Sequence, residues 1–352
     1  MWIGLLAVAL VYDLGDALRS PPAAPAEIAR PPMTTRVTRM LGLRHPIVQA
    51  GMSWASSNTA LPAAVSKAGA LGVIAAGPLR FDDLKAIVAE VKAAVAGAPF
   101  AVNVPLTSAG VEAKLDFLHG EGVPVIIASQ GAPQGRHERF QAKGTRWFHV
   151  VASVEHARKA AAASVDGLVV VGAEAGGHPP PSEVGTIVIV RRVVQEIPLP
   201  VIAGGGVADG HGIAALLALG ADAVQLGTRF LLTHEANVHP AYKDAVLATP
   251  VEGTTLVGRR DRPIRALKNR FSEAVEQAER GNVPEAEYKA LIASSSLKRA
   301  ALEGDVGWGK VEAGQSAGLV SEILPAAEVV SRLAAELEAA RQRLLAMDDA
   351  TA

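Results

Sequence analysis

LPVIAGGGVADGHGIAALLALGADAVQLGTRF, residues 199–230, decides how the rest of this sequence is read. Pro200, Val201, Ile202 and Ala203 form a short apolar run closed by three glycines, the pattern of a buried parallel strand covered on both faces. Gly204, Gly205 and Gly206 let backbone approach a ligand with no Cβ in the way. Asp209 is placed to cap a helix over residues 212–219, Gly220 to end it, and residues 221–226 form the next strand, stopped by Gly227 and Thr228. Two glycine turns, one βα unit apart and each at a strand's C-terminal end, aim backbone N–H groups at one spot. A phosphate is held in this way after the last two strands of a (β/α)8 barrel. Rival phosphate motifs fail: a Rossmann fingerprint begun at Gly204 needs glycine where Asp209 stands, and no G-x-x-x-x-G-K-[ST] occurs.

Toward the N-terminus, strand and helix signals alternate. Strands are expected at residues 46–50, 71–75, 100–103, 123–128, 147–151 and 167–171, and helices at 61–68, 82–96, 111–119, 138–142, 154–162 and 183–196. With the two strands of the opening stretch this makes eight, the number that a closed α/β TIM barrel requires. An open doubly wound sheet is the alternative with the same spacing. After Phe230 the strand signals stop, and residues 241–248, 265–280, 285–299 and 326–346 read as helical. The expected organisation is an extension over residues 1–32, the barrel over 33–232, a helical insertion over 233–310 placed to roof the barrel's C-terminal face, and a closing segment over 311–352 that packs back on the barrel.

Composition limits the partners. With 352 residues, 49% hydrophobic and 20% charged at a net charge of −1, the chain is long enough for one large barrel with an elaboration. That balance, with 4% aromatics, offers neither a basic stripe nor a stacking platform for nucleic acid, so a small-molecule partner is expected. The absence of cysteine excludes disulfides, thiolate nucleophiles, iron–sulfur clusters and thiolate zinc sites. Residues 2–12 are an apolar run of signal-peptide length, too short to span a bilayer. No Lys or Arg precedes them, and Asp13 and Asp16 follow. The first 32 residues therefore read as an upstream extension or a misplaced start of a cytoplasmic protein, an exported or membrane-associated form being the alternative.

In a barrel, residues just past the strand C-termini converge on one site. Here they are Ala50, Gly51, Met52, Asn103, Ser129, Gln130, the run from Glu174 through Gly177 to His178, Gly204 to Gly206, Gly227 and Thr228. His178 follows two glycines at a strand end, which favours a functional histidine over a surface or core one. Glu174 either bonds a ligand or caps its turn; Asn103 either reads a ring edge or makes an Asx turn. Arg265 and Asn269, at i and i+4, fit a salt-bridged helix face or part of a lid. No metal is expected, because His234, His239, Asp222 and Glu235 lack ligand spacing and suit solvated or capping roles. A hydrolase triad is unsupported, there being no G-x-S-x-G elbow.

HPIVQAGM (residues 45–52), PFAVN (99–103), GAEAGGH (172–178), PVIAGGGVADG (200–210), ADAVQLGTRF (221–230) and EAGQSAGLV (312–320), in this order, resemble the nitronate monooxygenase family, formerly called 2-nitropropane dioxygenases. The resemblance runs from Met33 to the C-terminus. It implies an FMN-dependent barrel with a smaller helical domain, which oxidises alkyl nitronates, and nitroalkanes, with O2 to a carbonyl compound and nitrite. It implies that Gly205, Gly206, Gly227 and Thr228 hold the FMN phosphate, that Ala50, Gly51 and Met52 line the flavin ring, that Asn103 bonds to it, and that Ser129, Glu174 and Gly177 complete the cofactor site. Gln315 is implied to approach from the late segment. His178 matches the family's catalytic base, which takes the α-proton of a neutral nitroalkane; an ionised nitronate needs no such step. The implied partners are the nitronate and O2, with no metal and no nucleic acid, and a homodimer is the expected assembly. Residues 233–246 and 265–271 are similar to the flavin-dependent enoyl-ACP reductases, a sister group with the same histidine motif that consumes a nicotinamide cofactor. The run Pro179, Pro180, Pro181 stiffens the chain after His178.

Overall fold

The computed structural model describes residues 33–349, and the expectation for Met1–Pro32 lies outside them. The apolar runs become β1 (Ile47–Gln49), β2 (Gly72–Ala75), β3 (Phe100–Pro105), β4 (Val125–Ser129), β5 (Arg146–Val151), β6 (Gly167–Val171), β7 (Val201–Gly204) and β8 (Ala223–Leu226). Helix α1 (Arg36–Leu41) precedes them. Between successive strands lie α2 (Ala60–Lys67), α3 (Phe81–Ala94), α4 (Val111–Glu121), α5 (Arg136–Gln141), α6 (Val154–Ala162), α7 (Thr186–Glu196) and α8 (Gly210–Ala218). All strand pairs of this sheet are parallel, in the order β1-β8-β7-β6-β5-β4-β3-β2. Leu71 then closes the ring, donating its N–H to Ile47 and accepting from Gln49 across 2.9 Å each. The fold is the expected (β/α)8 TIM barrel.

Strand periodicity explains the core. Val48, Val73, Ala101, Val125, Ile127, Phe148, Val169, Ile202 and Ala223 meet inside the barrel, while their neighbours Ile47, Ile74, Val102, Ile126, Leu168, Val201 and Val224 pack against the helices. Both faces are dry, so a one-residue slip in register would merely exchange two apolar sets; glycine turns and interior shape hold the register instead. The unforeseen α1 adds Val37 and Leu41 to the interior cluster and so plugs the end opposite the site. Thr35 caps α1, and Arg36 pairs with Asp222 at 2.7 Å. Asp222, which also accepts from the N–H of Val201 at 2.9 Å, is therefore a buried tie rather than a solvated acid. The other acid and histidines set aside as a metal cluster include two caps: His239 Nδ1 accepts from Ala241, and Glu235 accepts from Ala326.

After β8 come α9 (Thr228–Leu231), α10 (Pro240–Leu247), β9 (Thr254–Val257), β10 (Ile264–Leu267), α11 (Arg270–Arg280), α12 (Glu285–Ala293), α13 (Leu297–Ala301), a 3-10 turn at Gln315–Leu319, and α14 (Ala326–Asp349). This part is helical in the main, with two departures from expectation. Residues 264–267 do not open a helix but pair antiparallel with β9. The reason is local: the Asn269 side chain accepts from the N–H of Ser272 in a capping box, which starts α11 at Arg270 and leaves Arg265 outside it. The helix-face reading of Arg265 and Asn269 is thereby corrected. Ser296 likewise caps α13, dividing the helix expected over residues 285–299. Val257, Phe271, Val275, Ala278 and Tyr288 form a small core of their own. The long α14 returns to the barrel beside α8, where Glu336 accepts from the N–H of Gly210 at 2.8 Å. Among the described residues no helix is long and apolar enough to cross a membrane, and no acid and histidine cluster has the makings of a metal site.

Candidate active site

The strand C-termini open into a cavity of about 310 Å3, within the range that small-molecule sites occupy. Ala50, Gly51, Met52, Asn103, Ser129, Gln130, Glu174, Gly177, His178, Gly205, Gly206, Gly227 and Thr228 all line it. Val238 and Tyr242, with Leu297 and Ala301 of α13, also line it. Gln315 is the exception. Its side chain is exposed and its N–H donates to the Glu174 carbonyl at 2.9 Å, while its neighbours Gly314 and Ser316 reach the cavity.

The turns after β7 and β8 supply donors. Gly205 and Gly206 sit at φ +111° and +76°, backbone that a side chain would strain, and a Cβ on Gly205 would stand 2.6 Å from Thr186 Oγ1. The N–H groups of Gly205, Gly206, Gly227 and Thr228 find no acceptor among the described residues. Four such donors around one cavity match a compact anion of phosphate type. Thr228 Oγ1 accepts from the N–H of Gly314 at 3.0 Å, which ties the late segment to the β8 turn.

The structure gives two polar loop residues definite protein partners. Asn103 makes no Asx turn: its Nδ2 donates sideways to the Ile127 carbonyl at 3.0 Å and to Ser129 Oγ at 3.3 Å, leaving Oδ1 with no protein donor among the described residues. Glu174 is a cap. Its two oxygens accept from the N–H of Thr186 at 3.0 and 2.9 Å and one accepts from Thr186 Oγ1 at 2.7 Å, so it closes the N-terminus of α7 while flanking the cavity.

His178 is held by the hairpin that sequence reasoning missed. Gly177 pairs with Arg265 of β10, each accepting the other's N–H, at 3.1 and 2.7 Å. Arg265 Nε also donates to the Ala173 carbonyl at 2.9 Å. Beneath the loop the backbone approach is close, since a Cβ on Gly176 would lie 2.5 Å from the carbonyl carbon of Ala313. His178 Nδ1 lies 3.2 Å from the Pro263 carbonyl, an acceptor, so this nitrogen carries the proton and Nε2 keeps its lone pair. His178 is exposed as a residue, yet loop and hairpin crowd its ring. Burial is the largest cause that lowers its pKa; the Pro263 carbonyl opposes this, and Arg262 and Lys310 push it lower. A neutral imidazole with a free lone pair can take a proton from a weak acid at neutral pH.

Glu312 and Tyr242 were not foreseen as site residues. Burial pushes the Glu312 carboxyl up to about 7, against the pull of Lys310 and Arg262. Tyr242, itself buried, donates its hydroxyl to the Glu312 carbonyl at 2.8 Å. The signal was an acid two residues before Gly314 in a segment already assigned to the site, though nothing in its spacing says that it faces inward.

The family profile of nitronate monooxygenase matches residues 34–112 and 106–336. A (3aS,4S,5R,7aS)-5-hydroxy-7a-methyl-1-oxo-octahydro-1H-indene-4-carboxyl-CoA dehydrogenase from Mycobacterium tuberculosis is 35% identical, over 70% of each chain. A nitronate monooxygenase from Pseudomonas aeruginosa is also 35% identical, over 87% of this chain and 99% of its own. Among solved structures, FabK from Thermotoga maritima superposes with a TM-score of 0.84 at 37% identity, covering 90% of this chain and 99% of that one.

Proposed function

The chain belongs to the nitronate monooxygenase family of oxidoreductases, and on that premise we propose that it binds FMN and oxidises alkyl nitronates, and nitroalkanes, with O2 to a carbonyl compound and nitrite. The observation that carries this reading is the meeting, in one cavity, of a neutral histidine with a free Nε2 and four backbone donors without an acceptor. In this reading the N–H groups of Gly205, Gly206, Gly227 and Thr228 hold the FMN phosphate. Ala50, Gly51 and Met52 lie along the ring, Asn103 bonds to its edge, and Ser129 and Gly177 flank it. FMN, when bound, supplies the redox chemistry, accepting electrons from the substrate and passing them to O2. His178 Nε2 removes the α-proton of a neutral nitroalkane, its tautomer held by Pro263. Glu174 keeps the loop and α7 in register, and the roof of α10 and α13 limits water.

A second reading is NAD(P)H-consuming reduction of an enoyl-ACP. It is favoured by where its sequence resemblance falls: residues 233–246 contain Tyr242, and residues 265–271 contain Arg265, two groups that brace the site. One experiment separates the two. FMN-loaded protein is mixed anaerobically with propionate 3-nitronate and, separately, with NADH and NADPH while the flavin absorbance is followed. Bleaching by the nitronate alone supports the first reading; rapid bleaching by a nicotinamide with no response to nitronate replaces it with the second.

A further inference from the structure

One acid in the cavity has no hydrogen-bond or ion-pair partner for its carboxyl among the described residues. Glu312 lines the cavity against the sixth loop, and a Cβ on Gly177 would stand 3.1 Å from Glu312 Oε2. Its backbone is held from both sides, the carbonyl by Tyr242 Oη at 2.8 Å and the N–H by the Lys310 carbonyl at 3.1 Å. Its carboxyl, by contrast, makes no hydrogen bond and no ion pair with any described residue. The cavity's other acid, Glu174, is engaged by Thr186 through both carboxylate oxygens. The charged and titratable groups that act on Glu312 are Arg262 from the turn between β9 and β10 and Lys310 from its own segment, with Tyr242 of α10 on its backbone carbonyl; His178 lines the same cavity, and Arg265 of β10 is turned to the Ala173 carbonyl. Arg262 and Lys310 act on it through space without pairing.

A positioned, unpartnered carboxyl on a cavity wall is costly to ionise and serves well as a hydrogen-bond donor to an oxyanion, the short and strong O–H to O⁻ kind. The nearby cations add a long-range attraction for an anion without taking the acid's proton. Resting on the nitronate reading above, we infer that Glu312 recognises the oxygen end of the substrate: protonated, it donates to a nitronate oxygen while the α-carbon faces His178, and ionised, it repels that anion. Its charge thus determines which substrates the site accepts. Burial supports this by bringing the carboxyl up to about 7, so that both forms are populated near neutral pH.

The test compares wild type with Glu312→Gln, an isosteric and permanently neutral donor, after both are shown by flavin titration to bind FMN. For ethyl nitronate, kcat/KM of wild type is expected to fall about tenfold per pH unit above the transition, and that of Glu312→Gln to stay level over the same range. The same fall in both variants overturns the inference. Infrared difference spectra give a second readout that needs no turnover. A protonated-carboxyl band lost with a midpoint near 7 in wild type and absent from Glu312→Gln is expected; no such band at any pH overturns the inference whatever the substrate. A wild type that oxidises no nitronate at any pH sinks the nitronate reading, and the infrared band then decides whether Glu312 remains a donor for another oxyanion.

Discussion

His178 Nδ1 faces the carbonyl of Pro263 at 3.2 Å, across 85 residues of chain. The base of the proposed reaction sits on a barrel loop, but its tautomer is set by a hairpin of the insertion. Replacing the ring separates two substrates. His178→Asn is expected to lower kcat/KM for a neutral nitroalkane by about 10²- to 10⁴-fold, because a general base is lost, and that for the preformed nitronate by less than about tenfold. Steady-state kinetics on both forms of one compound checks this, and an equal loss on both would remove His178 from the proton-transfer role.

The hairpin can be loosened without touching the ring. Arg265→Met removes the bond to the Ala173 carbonyl and is expected to cost about 1–3 kcal/mol of stability, since a buried acceptor is left unpaired. FMN affinity should hold within about threefold while kcat/KM on a nitroalkane falls about 10- to 100-fold, the penalty of a misplaced base. Urea titration, flavin titration and kinetics on one preparation test it; unchanged kinetics would mean that the hairpin does not orient the loop.

Gly205→Ala strikes the other end of the cavity. Its backbone sits at φ +111°, and the added Cβ would meet Thr186 Oγ1 at 2.6 Å. A stability loss of about 1–3 kcal/mol and an FMN dissociation constant raised more than about tenfold are expected. Wild-type FMN affinity in this variant would argue that the turn after β7 is not the phosphate site.

Acid should weaken the fold through a residue outside the site. His149 is buried, with Nε2 on the Gly131 carbonyl and Nδ1 without a partner among the described residues, and burial is the main cause that lowers its pKa. The unfolded chain therefore binds a proton below about pH 6.5 that the native protein refuses, so stability is full above that value and declines as pH falls toward the depressed native pKa. His45 and His178 carry the same sign. Glu312, whose carboxyl is raised to about 7, carries the opposite sign and offsets part of this loss, so the test is a difference: between about pH 7.5 and about pH 5.5 the wild-type urea midpoint should fall relative to that of His149→Asn, and parallel profiles of the two would contradict it.

The barrel was legible because parallel strands covered on both faces read as unbroken apolar runs, and runs such as LVVV before Gly172 and VIA before Gly204 also mark where each strand ends. Knowing the strand ends collects the loop residues of the site with no structure at all. What escaped was non-local or too short to have a period. β10 is four residues long, and its Arg265 stands at helical spacing from Asn269, so only the cap on Ser272 reveals that the helix starts later. Glu312 faces inward because Tyr242, 70 positions earlier, holds its carbonyl, a relationship that no local pattern encodes. Gln315 was assigned through its motif, but the 3-10 turn that begins there directs Ser316 inward instead.

The insertion's small core of Val257, Phe271, Val275, Ala278 and Tyr288 is separate from that of the barrel. A cluster of this size is expected to open at a lower free energy than the barrel interior. When it opens, Pro263 and Arg265 leave the histidine loop while the eight strands stay closed. On warming, turnover is therefore expected to fade before the barrel melts, which would make the working range of the enzyme narrower than the range over which it stays folded.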